Sequence, residues 1–202
     1  MLEIKPGHTT TLPRVGTWPE TRHVFDEASI WAVNAALAAQ RPLLVRGEPG
    51  SGKSQLARAA AKELGRAFVP AVVHSRSESQ DLLFCYDAVC RLGEAQALAA
   101  SRGQVDVRAA LAPVRFVSPG PLWWTFDWPS AAAQAKQCLS AARPPERPKG
   151  WQPKTGGAVL LIDEIDKAEA DLPNGLLETL GNGAFTVPLL GRSVGMRPKA
   201  PT

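Results

Sequence analysis

Nine residues, RGEPGSGKS from Arg46 to Ser54, restrict the fold more than any other part of the chain. They fit G-x-x-x-x-G-K-[ST], with Gly47, Gly52, Lys53 and Ser54 at the fixed positions. Glycines at this spacing let backbone amides turn inward around phosphate oxygens. A helix starting at Lys53 adds unsatisfied N-terminal donors and the positive end of its dipole. In that arrangement Lys53 supplies a point charge to the β- and γ-phosphates, and the Ser54 hydroxyl a ligand for Mg²⁺. Such a loop needs a strand before it and a helix after it. PLLVR, Pro42 to Arg46, is a short apolar run between breakers and predicts a buried strand. QLARAAAKELG, from Gln55, predicts a helix with Leu56, Ala60 and Leu64 on one face, closed by Gly65 in a left-handed cap.

A second stretch, AVLLIDEID from Ala158 to Asp166, runs from branched apolar residues into Asp163, Glu164 and Asp166. Like charges beside a buried strand cost stability unless each finds water or a partner. Phosphoryl transfer gives them a use, because it needs a carboxylate to fix Mg²⁺ and a group to orient the attacking water. Asp163 falls at the C-terminal end of the predicted strand, where an open α/β sheet binds its ligand. Glu164, one residue on, is placed to polarise water. If this strand lies beside the phosphate-loop strand, Asp163 faces the metal. Asp166 and Lys167 read as a helix-entry cap with a local ion pair.

Around these stretches, strand and helix signals alternate. Residues 1–22 carry Pro, Gly and Thr without periodicity and predict an extended lead-in; the core begins at residue 23 and runs to 202. From Asp26, apolar Ile30, Val33 and Leu37 predict a helix that Pro42 stops. AFVPAVV, Ala67 to Val73, predicts a strand. Leu82, Leu83, Tyr86, Val89 and Cys90 form a helical stripe, and LWWTFDW predicts a strand or loop before a helix from about Ser130. The proline-rich connector 141–157 cannot hold regular structure, since proline lacks an amide donor. A helix around Asn174 to Leu180, a Gly-Asn-Gly turn and a strand or hairpin at AFTVPLL complete the pattern. Alternation of this kind implies βαβ units and a largely parallel sheet covered on both faces.

Composition excludes other classes. Hydrophobic content of 45% with 21% charged residues argues against wholesale disorder. No apolar run approaches bilayer length and the N-terminus lacks a signal-peptide core, so a cytoplasmic protein is expected, with no membrane contact. Cys85, Cys90 and Cys138, like His8, His23 and His74, have no metal-ligand spacing. The net charge of +4 is mildly basic, but the basic residues are dispersed and no aromatic–basic alternation accompanies them, which argues against a nucleic-acid surface. Trp123, Trp124 and Trp128, with Phe126, form an aromatic cluster that reads as packing rather than as a docking loop.

With both stretches in hand, the chain resembles the AAA+ ATPases, and among them the MoxR-type group. LLIDEIDKAEADLPNGLLETLGNGAFTVP is similar to that group's second nucleotide motif with its following helix and hairpin. SRSESQDLLFCYDAVCRLGEAQA and PGPLWWTFDW also look like its segments. The resemblance implies the P-loop NTPase fold, a three-layer α/β/α sandwich with a mostly parallel sheet. It implies ATP held by Gly47, Glu48, Pro49, Gly50, Ser51, Gly52, Lys53, Ser54 and Gln55. Mg²⁺ would sit on Ser54 and Asp163, with Lys53 and Glu164 as the catalytic pair and Glu164 activating water. It further implies a homo-oligomeric ring, usually of six, acting as a chaperone on partners such as von Willebrand factor A domain proteins. In the resembled fold the region of Asn34 and Gln40 approaches adenine, although nothing local marks a base-reading residue.

Family members continue into a sensor strand, an arginine finger, a final core strand and a helical lid. This chain stops at RPKAPT, about where the sensor strand would begin, and Arg192 and Arg197 precede the expected finger. The expected fold is therefore C-terminally incomplete. A second reading follows, a nucleotide-binding interaction module without turnover. A third, a DNA-linked loader ATPase, rests only on the basic charge.

Overall fold

The computed structural model describes residues 1–101, 105–140 and 143–196; Arg197 and the rest of the RPKAPT end lie outside the described residues. In chain order the elements are β1 (Thr9–Leu12), β2 (Thr21–Val24), α1 (Glu27–Ala39), α2 (Lys53–Glu63), β3 (Ala67–Val72), α3 (Ser79–Leu83), β4 (Phe84–Tyr86) and α4 (Ala88–Ala100). They continue with α5 (Val107–Ala110), β5 (Val117–Pro119), α6 (Pro121–Phe126), α7 (Trp128–Gln137), β6 (Ala158–Asp163), α8 (Asp171–Asn182), β7 (Ala184–Val187) and β8 (Arg192–Gly195). The chain divides into two compact units, residues 1–69 with 146–161, and residues 70–145 with 162–202.

In the first unit, α1 starts where Asp26 accepts the Ser29 amide at 2.7 Å, an N-cap that satisfies one orphan donor of the first turn. Ile30 and Val33 face inward and pack with Leu2, Leu12, Phe25 and Leu56. The lead-in expected to be merely extended is thus part of the core, because β1 and β2 pair antiparallel and Leu2 and Leu12 are buried. α2 ends as the sequence predicts, with Gly65 at φ +61° and the Arg66 amide bonded to Ala61 O.

β3 and β6 form a two-stranded sheet. The Ala67 amide donates to Gly157 O at 3.1 Å and the Val73 amide to Asp163 O at 3.0 Å; both bonds carry the same sequence offset, as parallel pairing requires. The division between the units falls inside both strands.

Two expectations fail. PLLVR is not a strand: residues 42–46 carry no regular structure, and Leu43, Leu44 and Val45 are exposed. No described strand pairs with this run, so its apolar side chains have no sheet to enter and β6 lies beside β3 instead. The helical stripe after residue 78 is also interrupted. α3 ends at Leu83, β4 pairs antiparallel with β5, and α4 begins afresh at Ala88 with Val89 82% exposed. Two caps break the run. Glu78 and Asp81 form a reciprocal capping box at α3, while Asp87 accepts the Cys90 amide at 2.7 Å to start α4.

The core of the second unit is aromatic. Trp123, fully buried, meets Phe185 edge-on at 6.2 Å and donates its Nε1 proton to Ser130 Oγ at 2.9 Å. Trp124 and Trp128 cross at 5.0 Å. The tryptophan cluster is therefore packing, as expected, but Trp123, Trp124 and Phe126 lie on α6, which Pro121 opens at its first position, and not on a strand or loop. Phe185 belongs to the β7–β8 hairpin, which follows α8 through Gly183 at φ +60°.

Candidate functional site

Sequence-predicted residues Gly47 to Gln55 stand together in the first unit. Gly50 and Gly52 take φ of +81° and +84°, a left-handed backbone region that other residues enter at a cost of roughly 1–2 kcal/mol. Gly47 is restricted differently, since a Cβ there would lie 3.0 Å from Ser51 Oγ. The Ser51 amide closes the turn on Glu48 O at 3.2 Å.

Lys53 Nζ donates to Gly47 O and Glu48 O, both at 2.8 Å, which holds the ammonium across the loop by neutral carbonyls. Gly52 offers no side-chain cap to α2, and the first turn of α2 contains no acidic residue. A terminus without a competing carboxylate, with Lys53 as its first residue, fits an anionic ligand.

A cavity of about 290 Å³ opens here, lined by Gly50, Gly52, Lys53, Ser54 and Gln55 together with Trp18, Pro19, Thr21 and Arg58. The sequence reading missed these last four, because Trp18 sits in a segment without periodicity. Arg58 is 5% exposed, and burial pushes its guanidinium below its usual value while Glu146 opposes the shift. It is tied down by Pro13 O at 2.7 Å and Pro19 O at 3.3 Å. Further along α2, Lys62 bonds Thr11 O, and Glu63 accepts the Thr10 hydroxyl at 2.6 Å. That hydroxyl holds the Glu63 carboxyl below the usual carboxylate range. Three side chains of α2 thus fasten the N-terminal hairpin to the helix that carries the phosphate loop. Asn34 bonds both the amide and the carbonyl of Leu2. Gln40 is the left-handed C-cap of α1.

Asp163 and Glu164 stand at the end of β6 in the second unit. Asp163 closes the strand and accepts the Glu164 amide at 3.0 Å through Oδ1. Glu164 has φ +59°; among the described residues only Gln40 shares a left-handed backbone without being glycine. Its carboxylate pairs with Lys167, and that bond raises the lysine's pKa. The local ion pair expected around Asp166 is thus made by Glu164 and Lys167. Asp166 does not cap the next helix, whose N-cap is Ala170. Among the described residues no three His, Cys, Asp or Glu side chains gather into a metal-holding group, and no helix is long and apolar enough to cross a membrane.

Residues 42–201 match the AAA domain (dynein-related subfamily). The chain belongs to that family. It is an AAA+ ATPase chain with the P-loop α/β fold, and the matched span contains both the phosphate loop and the Asp163–Glu164 strand end. No curated protein and no solved structure matches it.

Proposed function

We propose that this AAA chain is the nucleotide-binding core of a MoxR-type ATPase, which hydrolyses ATP with Mg²⁺ and uses the cycle to remodel or mature partner proteins. The reading includes a homo-oligomeric ring and partners bearing von Willebrand factor A domains. The observation that carries it is the phosphate loop: left-handed Gly50 and Gly52, an uncapped helix start and Lys53 held across the loop. The resemblance of LLIDEIDKAEADLPNGLLETLGNGAFTVP to the MoxR-type group supports the finer assignment, and the chain order β6, α8, β7–β8 agrees with it.

In this reading the loop amides and Lys53 hold the β- and γ-phosphates. Ser54 is the loop residue that would hold Mg²⁺, which when bound neutralises charge on the phosphate oxygens, and the resemblance to the MoxR-type group assigns Asp163 to the same metal. Glu164 accepts a proton from the attacking water. A left-handed non-glycine residue is strained by roughly 1–3 kcal/mol, and such strain concentrates at functional positions, which favours Glu164 for this role.

The test is Glu164→Gln, assayed for MgATP binding and for phosphate release. Binding should persist while turnover falls by at least about a hundredfold, the low end of the range for general acid–base groups. Unchanged hydrolysis in this variant contradicts the role given to Glu164.

A further inference from the structure

We propose that Trp18 is the platform on which the base of the bound nucleotide stacks, making the N-terminal hairpin part of the nucleotide site. The proposal rests on the phosphate-loop reading and extends it from the phosphates to the base. The cavity is lined by Gly50, Gly52, Lys53, Ser54 and Gln55, by Arg58 one turn further along α2, and by Trp18. A ligand anchored by its phosphates at the start of α2 therefore has an aromatic surface within the same cavity.

Three features make Trp18 a fixed surface rather than a chance neighbour. Its amide donates to Val15 O at 2.8 Å and the Val15 amide donates to Trp18 O at 2.9 Å, which closes a two-residue turn. Gly16 supplies the positive φ, +55°, that such a turn needs at its first central position. The Arg58 guanidinium lies 5.3 Å from the indole centroid, and Phe68 meets the ring edge-on at 6.0 Å. Arg58 is itself buried and bonded to the hairpin carbonyls of Pro13 and Pro19, so the ring has little freedom to lose on binding.

Stacking on an aromatic face tolerates any base and strengthens with the size of its π-surface. The site should then favour purine over pyrimidine triphosphates and discriminate little between adenine and guanine. Alanine replacement of a stacking aromatic removes roughly ten- to a hundredfold of affinity per base.

Inorganic tripolyphosphate carries the phosphates without the base and separates the two readings. The 202-residue chain should bind MgATP more tightly than Mg-tripolyphosphate. Trp18→Ala should abolish that difference, weakening ATP about tenfold or more and leaving tripolyphosphate as it was. Trp18→Phe, which keeps an aromatic face and guards against a folding defect, should retain most of the preference. A Trp18→Ala chain that keeps its preference for ATP overturns the base platform and leaves the phosphate loop standing. Equal loss of both ligands also overturns it, by showing that Trp18 supports the loop instead. Failure of the unmodified chain to bind tripolyphosphate or ATP overturns the phosphate-loop reading, and this inference with it.

Discussion

PLLVR and AVLLI are nearly the same kind of sequence: five residues, mostly branched and apolar, each leading into a nucleotide motif. Their structures differ. Ala158 to Ile162 lies in β6, half-buried and paired with β3, whereas Leu43, Leu44 and Val45 stand outside any strand and face solvent. Local propensity is therefore not what separates them. A short apolar run becomes a strand when a neighbour completes its ladder and covers its side chains, and among the described residues only the second run has such a neighbour. The loop after the first run keeps its geometry regardless, because glycine φ values and the α2 helix are set within the loop and by the hairpin bonded to it.

Substitution should break the comparison most forcefully. Val69→Asp, in the strand that β6 pairs with, places a carboxylate at a site only 2% exposed and should cost on the order of 4 kcal/mol in urea denaturation. Leu44→Asp, at a site 64% exposed, should change stability by less than about 0.5 kcal/mol. A large loss at Leu44 would mean that PLLVR is covered in solution. Hydrogen exchange sharpens the same contrast on the unmodified chain. The amides of Ala67 and Val73, bonded to Gly157 O and Asp163 O, should exchange at least about a hundredfold more slowly than those of Leu43 to Val45. Comparable rates would place the two runs in equivalent surroundings.

What was legible in the sequence follows the same division. Elements fixed by local chemistry were readable: the loop glycines, α1 from its apolar spacing after Asp26, α2 with Gly65, β3, and α8 with the hairpin after it. The tryptophan cluster was readable as packing from its aromatic density, but the helix α6 that carries Trp123 and Trp124 was not, since LWWTFDW shows no helical apolar spacing of its own. Elements decided by distant partners were not. PLLVR needed a neighbouring strand that periodicity cannot reveal. The stripe from Leu82 to Cys90 hid a strand, since β4 exists only through its pairing with β5. Its two helix caps, Glu78 with Asp81 and Asp87, were visible as residue types yet outweighed by the apolar spacing. Of the cavity residues, the glycine and lysine positions were legible from motif spacing. Trp18 and Arg58 were not, because the N-terminal hairpin meets α2 through bonds spanning some forty residues of chain, from Arg58 to Pro13 and Pro19.

The central claim, that Gly47 to Ser54 is a working phosphate loop, is tested most directly by calorimetric titration of MgATP into the unmodified chain and into Lys53→Ala. The unmodified chain should bind saturably, and affinity should fall by about a hundredfold or more in the variant, since a charge-assisted contact to phosphate is lost. Equal affinity in the two chains, or no binding by the unmodified one, would contradict it.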